Sequence, residues 1–291
     1  GDYEVVIDSS LERGHLTYGE YFLQGSSPQE ILISTHICHP SLCNDNLSGI
    51  VLAVYLAKRV AELPHRYSYR FLFIPGTIGS ITWLSLNEKK LSLIKHGLVA
   101  ACLGDPGKFT YKKSRQGNAE IDRAVTHVLK TSGRDYEIQE FIPFGYDERQ
   151  YCSPGIDLPV GCLMRTPHGR YPEYHTSADN LDFVGPEFLE ESLTQYFSVL
   201  DVLESNKRYR SNNPKCEPQL GRRGLYQTIG GKTDSKTDAK ARELAMLCVL
   251  NLSDGSNTLL DISDRSGIDF AILKEVSDIL ARHDLLTESP Q

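Results

Sequence analysis

Residues 30–63 read EILISTHICHPSLCNDNLSGIVLAVYLAKRVAEL. The opening EILISTHI is almost wholly apolar, the pattern of a strand covered on both faces. The run from Leu47 to Leu63 is apolar nearly all round, which predicts a buried helix. Between them lies an irregular polar stretch, CHPSLCNDN, which together with the end of the strand holds His36, His39 and Asp45. A strand, a polar loop and a helix in that order form the first half of a parallel βαβ unit.

The same grammar continues on both sides. Upstream, His15–Gln24 alternates polar and apolar residues before GSSPQ breaks the run, so a hairpin leading into the buried strand is expected. Downstream, RYSYRFLFIPG (66–76), HGLVAACLGDPG (96–107) and LPVGCLMRTP (158–167) read as further strands. TIGSITWLSLNEKKLSL (77–93), NAEIDRAVTHVLKTSG (118–133) and PEFLEESLTQYFSVLDVLES (186–205) read as helices, the last with Pro at its first position. The fold class expected is α/β: a mostly parallel twisted sheet with helices on both faces. In such a sheet ligands gather beyond the carboxyl ends of the strands. His36, Gly76, Asp105 and the segment from His168 to His175 each lie at or soon after a strand's expected end.

Residues 206–238 are polar and rich in Gly and Pro, as in a linker, which separates a domain over 1–205 from a module over 239–291. The module shows three short helical patterns, the last two split by Ser266-Gly267, the turn chemistry of a winged-helix-like unit. It holds five Lys/Arg against nine Asp/Glu, a poor endowment for gripping phosphates, so packing, a protein partner or self-association is expected of it rather than nucleic acid.

The chain of 291 residues carries a net charge of −7, which argues against attraction to nucleic acid or anionic membranes. No apolar run is long enough to span a bilayer. The seven cysteines are scattered and form no CxxC pair, so reduced thiols and a cytoplasmic setting are expected.

Imidazole nitrogen and carboxylate oxygen are the donors a zinc ion takes. His36, His39 and Asp45 offer them early in the chain, and RTPHGRYPEYHTSADNLD (165–182) adds His168, His175, Asp179 and Asp182. Asp105 follows a buried strand, where a carboxylate is costly without a cation or hydrogen bonds. From pattern alone, each of these could equally be a hydrogen-bonded structural residue or a cap.

The order THxCH…NDNLSG, then YHTSADN, resembles the co-catalytic zinc aminopeptidase family, which includes the glutaminyl cyclases. HICHP, GTIGSITWL, DERQYCSPG and RTPHGRYPEYHTSADNL are similar, more narrowly, to bacterial aminopeptidase-like proteins associated with polysaccharide biosynthesis. Those carry a C-terminal winged helix and a further domain upstream. The resemblance implies zinc bound by His36, by Asp45 as a carboxylate bridging two metals, by Asp105 and by His175. It also exposes departures. Cys38 stands where the family has an Asp that orients the first His, and Gly76 and Thr77 stand where it has the Glu-Glu pair of general base and ligand. One zinc is therefore expected rather than two, with His39 as a replacement ligand. The base must come from elsewhere: Glu148 is the first choice, and Asp147 and Glu173 are the others. Arg149 and Arg165 are expected to clamp a substrate carboxylate. The function implied is a zinc-dependent aminopeptidase-like hydrolase of a peptide or peptide-like amide, linked to cell-envelope polysaccharide metabolism. The alternative is a catalytically weak, metal-binding scaffold.

Overall fold

A computed structural model describes residues 1–225 and 236–289. The part of the expected linker at 226–235, and the last two residues of the module, lie outside the described residues.

The large domain is built on a seven-stranded sheet of β1 (Gly19–Leu23), β2 (Glu30–His36), β3 (Ser68–Ile74), β4 (Ile94–Ala100), β5 (Phe109–Lys112), β6 (Tyr136–Gln139) and β7 (Val160–Met164). Their order is β1-β3-β2-β4-β7-β5-β6. β2 pairs in parallel with both β3 and β4, and β4 in parallel with β7. Its helices are α1 (Ser48–Ala61), α2 (Ile78–Asn87), α3 (Glu120–Thr131), the single turn α4 (Glu148–Tyr151) and α5 (Pro186–Ser205).

The period of two in β2 decides how the layers form. Ile31 and Ile33 point into one core with α1, α3 and α5, whereas Leu32 points into a second core with Trp83 of α2 and Tyr151 of α4. The strand is buried at every position, as its apolar run predicts. Two expectations are corrected. β1 does not form a hairpin with β2; it pairs antiparallel with β3, because both edges of β2 are taken by its parallel neighbours. α1 is not buried all round either, since Val51, Val54 and Tyr55 are exposed on its outer face. β5 and β6, only four residues each, escaped the pattern reading.

The C-terminal module has α6 (Lys236–Leu252), α7 (Leu259–Ser266) and α8 (Phe270–Arg282), with a small sheet of β8 (Arg208–Ser211), β9 (Asp254–Thr258) and β10 (Leu286–Glu288) in the order β10-β8-β9. The stretch read as linker thus contributes β8, the central strand. Gly267, at φ 69°, makes the turn between α7 and α8.

The module shares one apolar core with the large domain. Lys274 of α8 pairs with Asp201 of α5 at 2.8 Å, and the rings of Phe270 and His127 lie 6.0 Å apart. Arg123 of α3 bridges to Asp261 and Asp264 of α7 at 2.8 and 2.7 Å. The first turns of α8 therefore face the large domain. No helix among the described residues is long and apolar enough to cross a membrane.

His96 on β4 is buried, with Nε2 3.2 Å from the Tyr67 hydroxyl and Nδ1 sealed without a partner. Burial, helped by Arg66 and Lys95, depresses its pKa to about 3. A histidine held neutral in the fold contributes stability above its unfolded pKa of about 6.5 and loses it as pH falls toward the folded value. Stability should therefore drop below pH 6.5 by up to about 1.4 kcal/mol per pH unit from this residue. Urea melts at pH 7.5 and 5.0 check this: His96→Phe should show a shallower loss than the parent.

Candidate functional site

β2 ends at His36, and the chain turns through a kinked segment, Cys43–Leu47, with Asp45 and Asn46 in non-helical conformations, before α1. Asn44 and Asn46 turn inward and stitch this segment to the loop after β4. Asn44 Oδ1 accepts from Gly104 N at 2.9 Å, and Asn46 Oδ1 accepts from Cys102 N at 3.2 Å. Asn46 Nδ2 donates to the Thr35 hydroxyl at 2.8 Å. Gly49 completes the seam: a Cβ there would stand 2.5 Å from the Ala100 carbonyl, so α1 can begin this close to β4 only with glycine. Asp45, between the two asparagines, is free to present its carboxylate to the opposite side.

That carboxylate is fully buried and faces imidazoles. Oδ1 accepts from His36 Nε2 at 2.8 Å, and Oδ2 lies 2.9 Å from His175 Nε2 and 3.4 Å from His39 Nδ1. Burial drives the Asp45 pKa upward, but the His36 hydrogen bond and the fields of His36, His39 and His175 outweigh it, and the net shift is downward. His39 is shifted down by burial and by the neighbouring His36 and His175, against the pull of Asp45. Its Nδ1 is buried without a hydrogen-bond partner. His36, His39 and Asp45 bring their donor atoms within 4.8 Å of one another, while His175 joins them through its bond to the Asp45 carboxylate. Nitrogen and oxygen donors in this arrangement, one of them an orphaned buried nitrogen, fit a zinc ion.

Asp105 is not part of this group. Its Oδ1 accepts from Gly107 N at 2.8 Å and from the Thr166 hydroxyl, and its Oδ2 from Asn44 Nδ2 at 3.1 Å and Thr166 N at 3.2 Å. It stands behind Asn44 as a brace. Asp179, which the pattern reading noted without a role, is a second brace: its carboxylate accepts from the backbone N–H of Asn44 at 2.5 Å and of Asp45 at 3.0 Å.

The three carboxylates considered as general base sit in different settings. Glu148 is fully buried and paired with Lys112, whose ammonium also donates to Phe144 O at 2.6 Å. Glu173 is partly exposed on the loop before His175. Asp147 is buried against α2, with Oδ1 2.7 Å from the Ser80 hydroxyl. Its Oδ2 lies 3.5 Å from where a Cβ on Gly76 would stand, and that Cβ would also be 3.3 Å from His36 Cβ. Burial lifts the Asp147 pKa to about 6, with Ser80 and His36 opposing.

Of the two arginines, Arg165 is committed elsewhere: it donates to Gly107 O at 3.0 Å, pairs with Glu191 at 3.2 Å and stacks over Phe109 and Phe188. Arg149 Nε is buried without a hydrogen-bond partner.

The aromatic-rich stretch GRYPEYHT (169–176), expected from the sequence to wall the pocket, brings Tyr174 to the site, and Tyr146 joins it from outside that stretch. Tyr146 stacks on His36 with centroids 5.0 Å apart, and its hydroxyl lies 2.9 Å from the buried Cys102 thiol. Tyr174 stacks on His175 at 4.0 Å.

The family described as domain of unknown function DUF4910 matches residues 3–206, and a winged helix-turn-helix family matches residues 207–288. A Clostridium acetobutylicum protein, named provisionally as a polysaccharide biosynthesis protein with an aminopeptidase-like domain, is 54% identical over 285 residues, covering 98% of this chain and 64% of its own. A crystal structure of a protein from the same organism, described provisionally as a peptidase, is 49% identical with a TM-score of 0.86, over 94% of this chain and 60% of that one. The zinc aminopeptidase BSAP of Bacillus subtilis is 15% identical with a TM-score of 0.53, over 64% of this chain and 48% of its own. A glutaminyl cyclase from an Acidobacteriales bacterium is 17% identical with a TM-score of 0.55, over 64% and 73%. These last two share the fold alone. The chain spans less than two thirds of the length of both Clostridium proteins.

Asp179→Ala removes both hydrogen bonds that hold the Asn44–Asp45 backbone. Supports one shell behind a ligand are typically worth about 10–100-fold in metal affinity. Zinc titration against a competing chelator should show a loss of that size, with the circular dichroism spectrum unchanged.

Proposed function

Starting from a chain that belongs to the DUF4910 family and carries an aminopeptidase-like α/β fold with a C-terminal winged helix, we propose that it is a zinc-dependent hydrolase of a peptide or peptide-like amide. The observation that carries this is Asp45: a fully buried carboxylate at the carboxyl end of the sheet, faced by His36, His39 and His175. Buried charges persist where they are paired or coordinate a metal. His36, His39 and Asp45 would hold one zinc, with His175 on the opposite oxygen. Zinc sites usually take at least three protein ligands. A second ion would lack them, because Gly76 and Thr77 offer no carboxylate and Asp105 is tied to Asn44 and Thr166.

When bound, the ion would supply Lewis-acid polarisation of the amide carbonyl and a more acidic water. The chain supplies the rest. Asp147 takes the base's role in place of Glu148, because Lys112 occupies Glu148 whereas Asp147 Oδ2 borders the space left by Gly76. Asp147 accepts a proton from the attacking water and returns it to the leaving nitrogen. Arg149, two residues on, remains the candidate anchor for a substrate carboxylate. The relative's name extends the proposal to amides of cell-envelope polysaccharide metabolism. Seven free thiols support a cytoplasmic setting.

A second reading is favoured by Gly76 and Cys38, which remove the base and the orienting Asp of the zinc aminopeptidases: a metal-binding scaffold without turnover. The two separate on aminoacyl anilides and dipeptides. The purified protein should hold about one zinc, reduced by His36→Ala and by His39→Ala. Two equivalents at full occupancy would overturn the one-ion reading. General-base catalysis is worth about 10²–10⁴-fold, so Asp147→Asn should lose at least a hundredfold in kcat with zinc retained. Absence of turnover in a zinc-loaded parent selects the scaffold.

The winged helix is proposed to pack and to meet protein rather than DNA. In helix-turn-helix DNA readers the start of the second helix meets the bases. Here Phe270 and Lys274 of α8 meet His127 and Asp201 instead. A gel-shift titration with duplex DNA at 100 mM salt should show no submicromolar binding.

A further inference from the structure

Six rings close a loop around the space beside Asp45. Going round it, His36 meets Tyr146 at 5.0 Å, Tyr146 meets His168 at 5.0 Å, and His168 meets Tyr174 at 6.3 Å. Tyr174 meets His175 at 4.0 Å, His175 meets His39 at 4.8 Å, and His39 meets His36 at 5.5 Å. The three histidines on Asp45 form one side of this loop. Tyr146, His168 and Tyr174 form the other, with His168 opposite His39.

His168 is neither a neighbour of the Asp45 carboxylate nor a filler. Phe144, Tyr146 and Tyr174 grip its ring from three sides. Its Cε1 edge lies against Gly145, where a Cβ would meet Lys112 Nζ at 2.7 Å, Glu148 Oε1 at 2.8 Å and His168 Cε1 at 3.5 Å. Gly145 therefore admits the buried Lys112–Glu148 pair beneath the ring. Nδ1 is sealed without a partner, so a hydrogen bond to a ligand must come from Nε2. Burial holds its pKa down, with Lys112 aiding and Glu148 and Asp45 opposing.

Resting on the hydrolase reading, we propose that His168 is a catalytic residue: its Nε2–H donates across the cleft to the amide oxygen of the substrate as that oxygen becomes negative. In the step concerned, the water oxygen bonds to the carbonyl carbon and the C=O π pair moves onto the oxygen. Asp147 takes the water proton, and His168 keeps its own. A neutral imidazole suits this role, since it offers a donor without surrendering a proton. Preorganised donors of this type are typically worth about 10²–10³-fold in kcat. The ring loop also selects the substrate. Tyr146 and Tyr174 flank His168 and the exposed Phe144 packs against it, which favours a substrate with an apolar side chain beside the amide.

The test uses the zinc-loaded protein and two substitutions, His168→Phe, which keeps the ring packing without a donor, and His168→Gln, which restores one. Zinc content, kcat and KM on leucyl and alanyl anilides, and the Kd of a phosphinic dipeptide analogue that mimics the tetrahedral oxygen are measured for each. His168→Phe should keep its zinc, hold KM within threefold, lose about a hundredfold in kcat and weaken the phosphinic analogue by a similar factor. His168→Gln should recover at least tenfold of each. Values for His168→Phe within threefold of the parent would overturn the proposal, as would a loss of zinc, which would make His168 part of the metal site. A parent that holds zinc but neither hydrolyses the anilides nor binds the phosphinic analogue removes the hydrolase reading, and this role with it.

Discussion

A carboxylate with no exposure to solvent and, among the described residues, no lysine or arginine paired with it sets the terms for the whole domain. Taking Asp45 out of water carries a large desolvation cost, and the structure offsets it with three imidazoles on its two oxygens. Those imidazoles come from β2, from the loop after it and from a segment 130 residues further on. Each must therefore be held by something rigid. His36 is the last residue of a strand paired on both edges, and the 43–47 turn is locked by Asp179 and by two asparagines.

The NDN motif works through this division of labour. Its outer residues satisfy backbone groups at the start of α1 and after β4, and its middle residue serves the site. Asp105 and Asp179 show how carboxylates near such a site can act without touching it. They accept hydrogen bonds from the peptide groups and side chains behind Asn44 and Asp45: Asp179 takes two backbone N–H groups, and Asp105 takes four donors, which occupy all its lone pairs. Gly76 follows the same economy of space. With no side chain there, Asp147 at the start of α4 borders the volume that a side chain would have entered.

The winged helix extends the domain rather than hanging from it. α7 and α8 bury their apolar faces in the core that α3 and α5 begin, and three ion pairs border that junction. A module that uses the start of α8 to hold its own chain has that surface occupied, whatever its ancestry.

The α/β layers, the strand order's parallel centre and the three helices of the module were legible in the sequence, because buried strands and amphipathic helices repeat at fixed periods. His36, His39 and Asp45 were legible for the same reason: they sit within a dozen residues, between a strand and a helix whose patterns are plain. The hairpin at residues 15–24 was misread because alternation tells which face a strand buries, not which partner it pairs with. What only the tertiary structure decided was the surroundings of isolated polar residues. Asp105, Asp147 and Glu148 look alike in a string of letters. Their surroundings diverge because Thr166, Ser80 and Lys112, from distant parts of the chain, decide whether each buried carboxylate is tied to backbone and hydroxyl groups, held beside Gly76 or paired with a cation. Through-space neighbours set a buried group's solvation and charge, and no period along the chain encodes them.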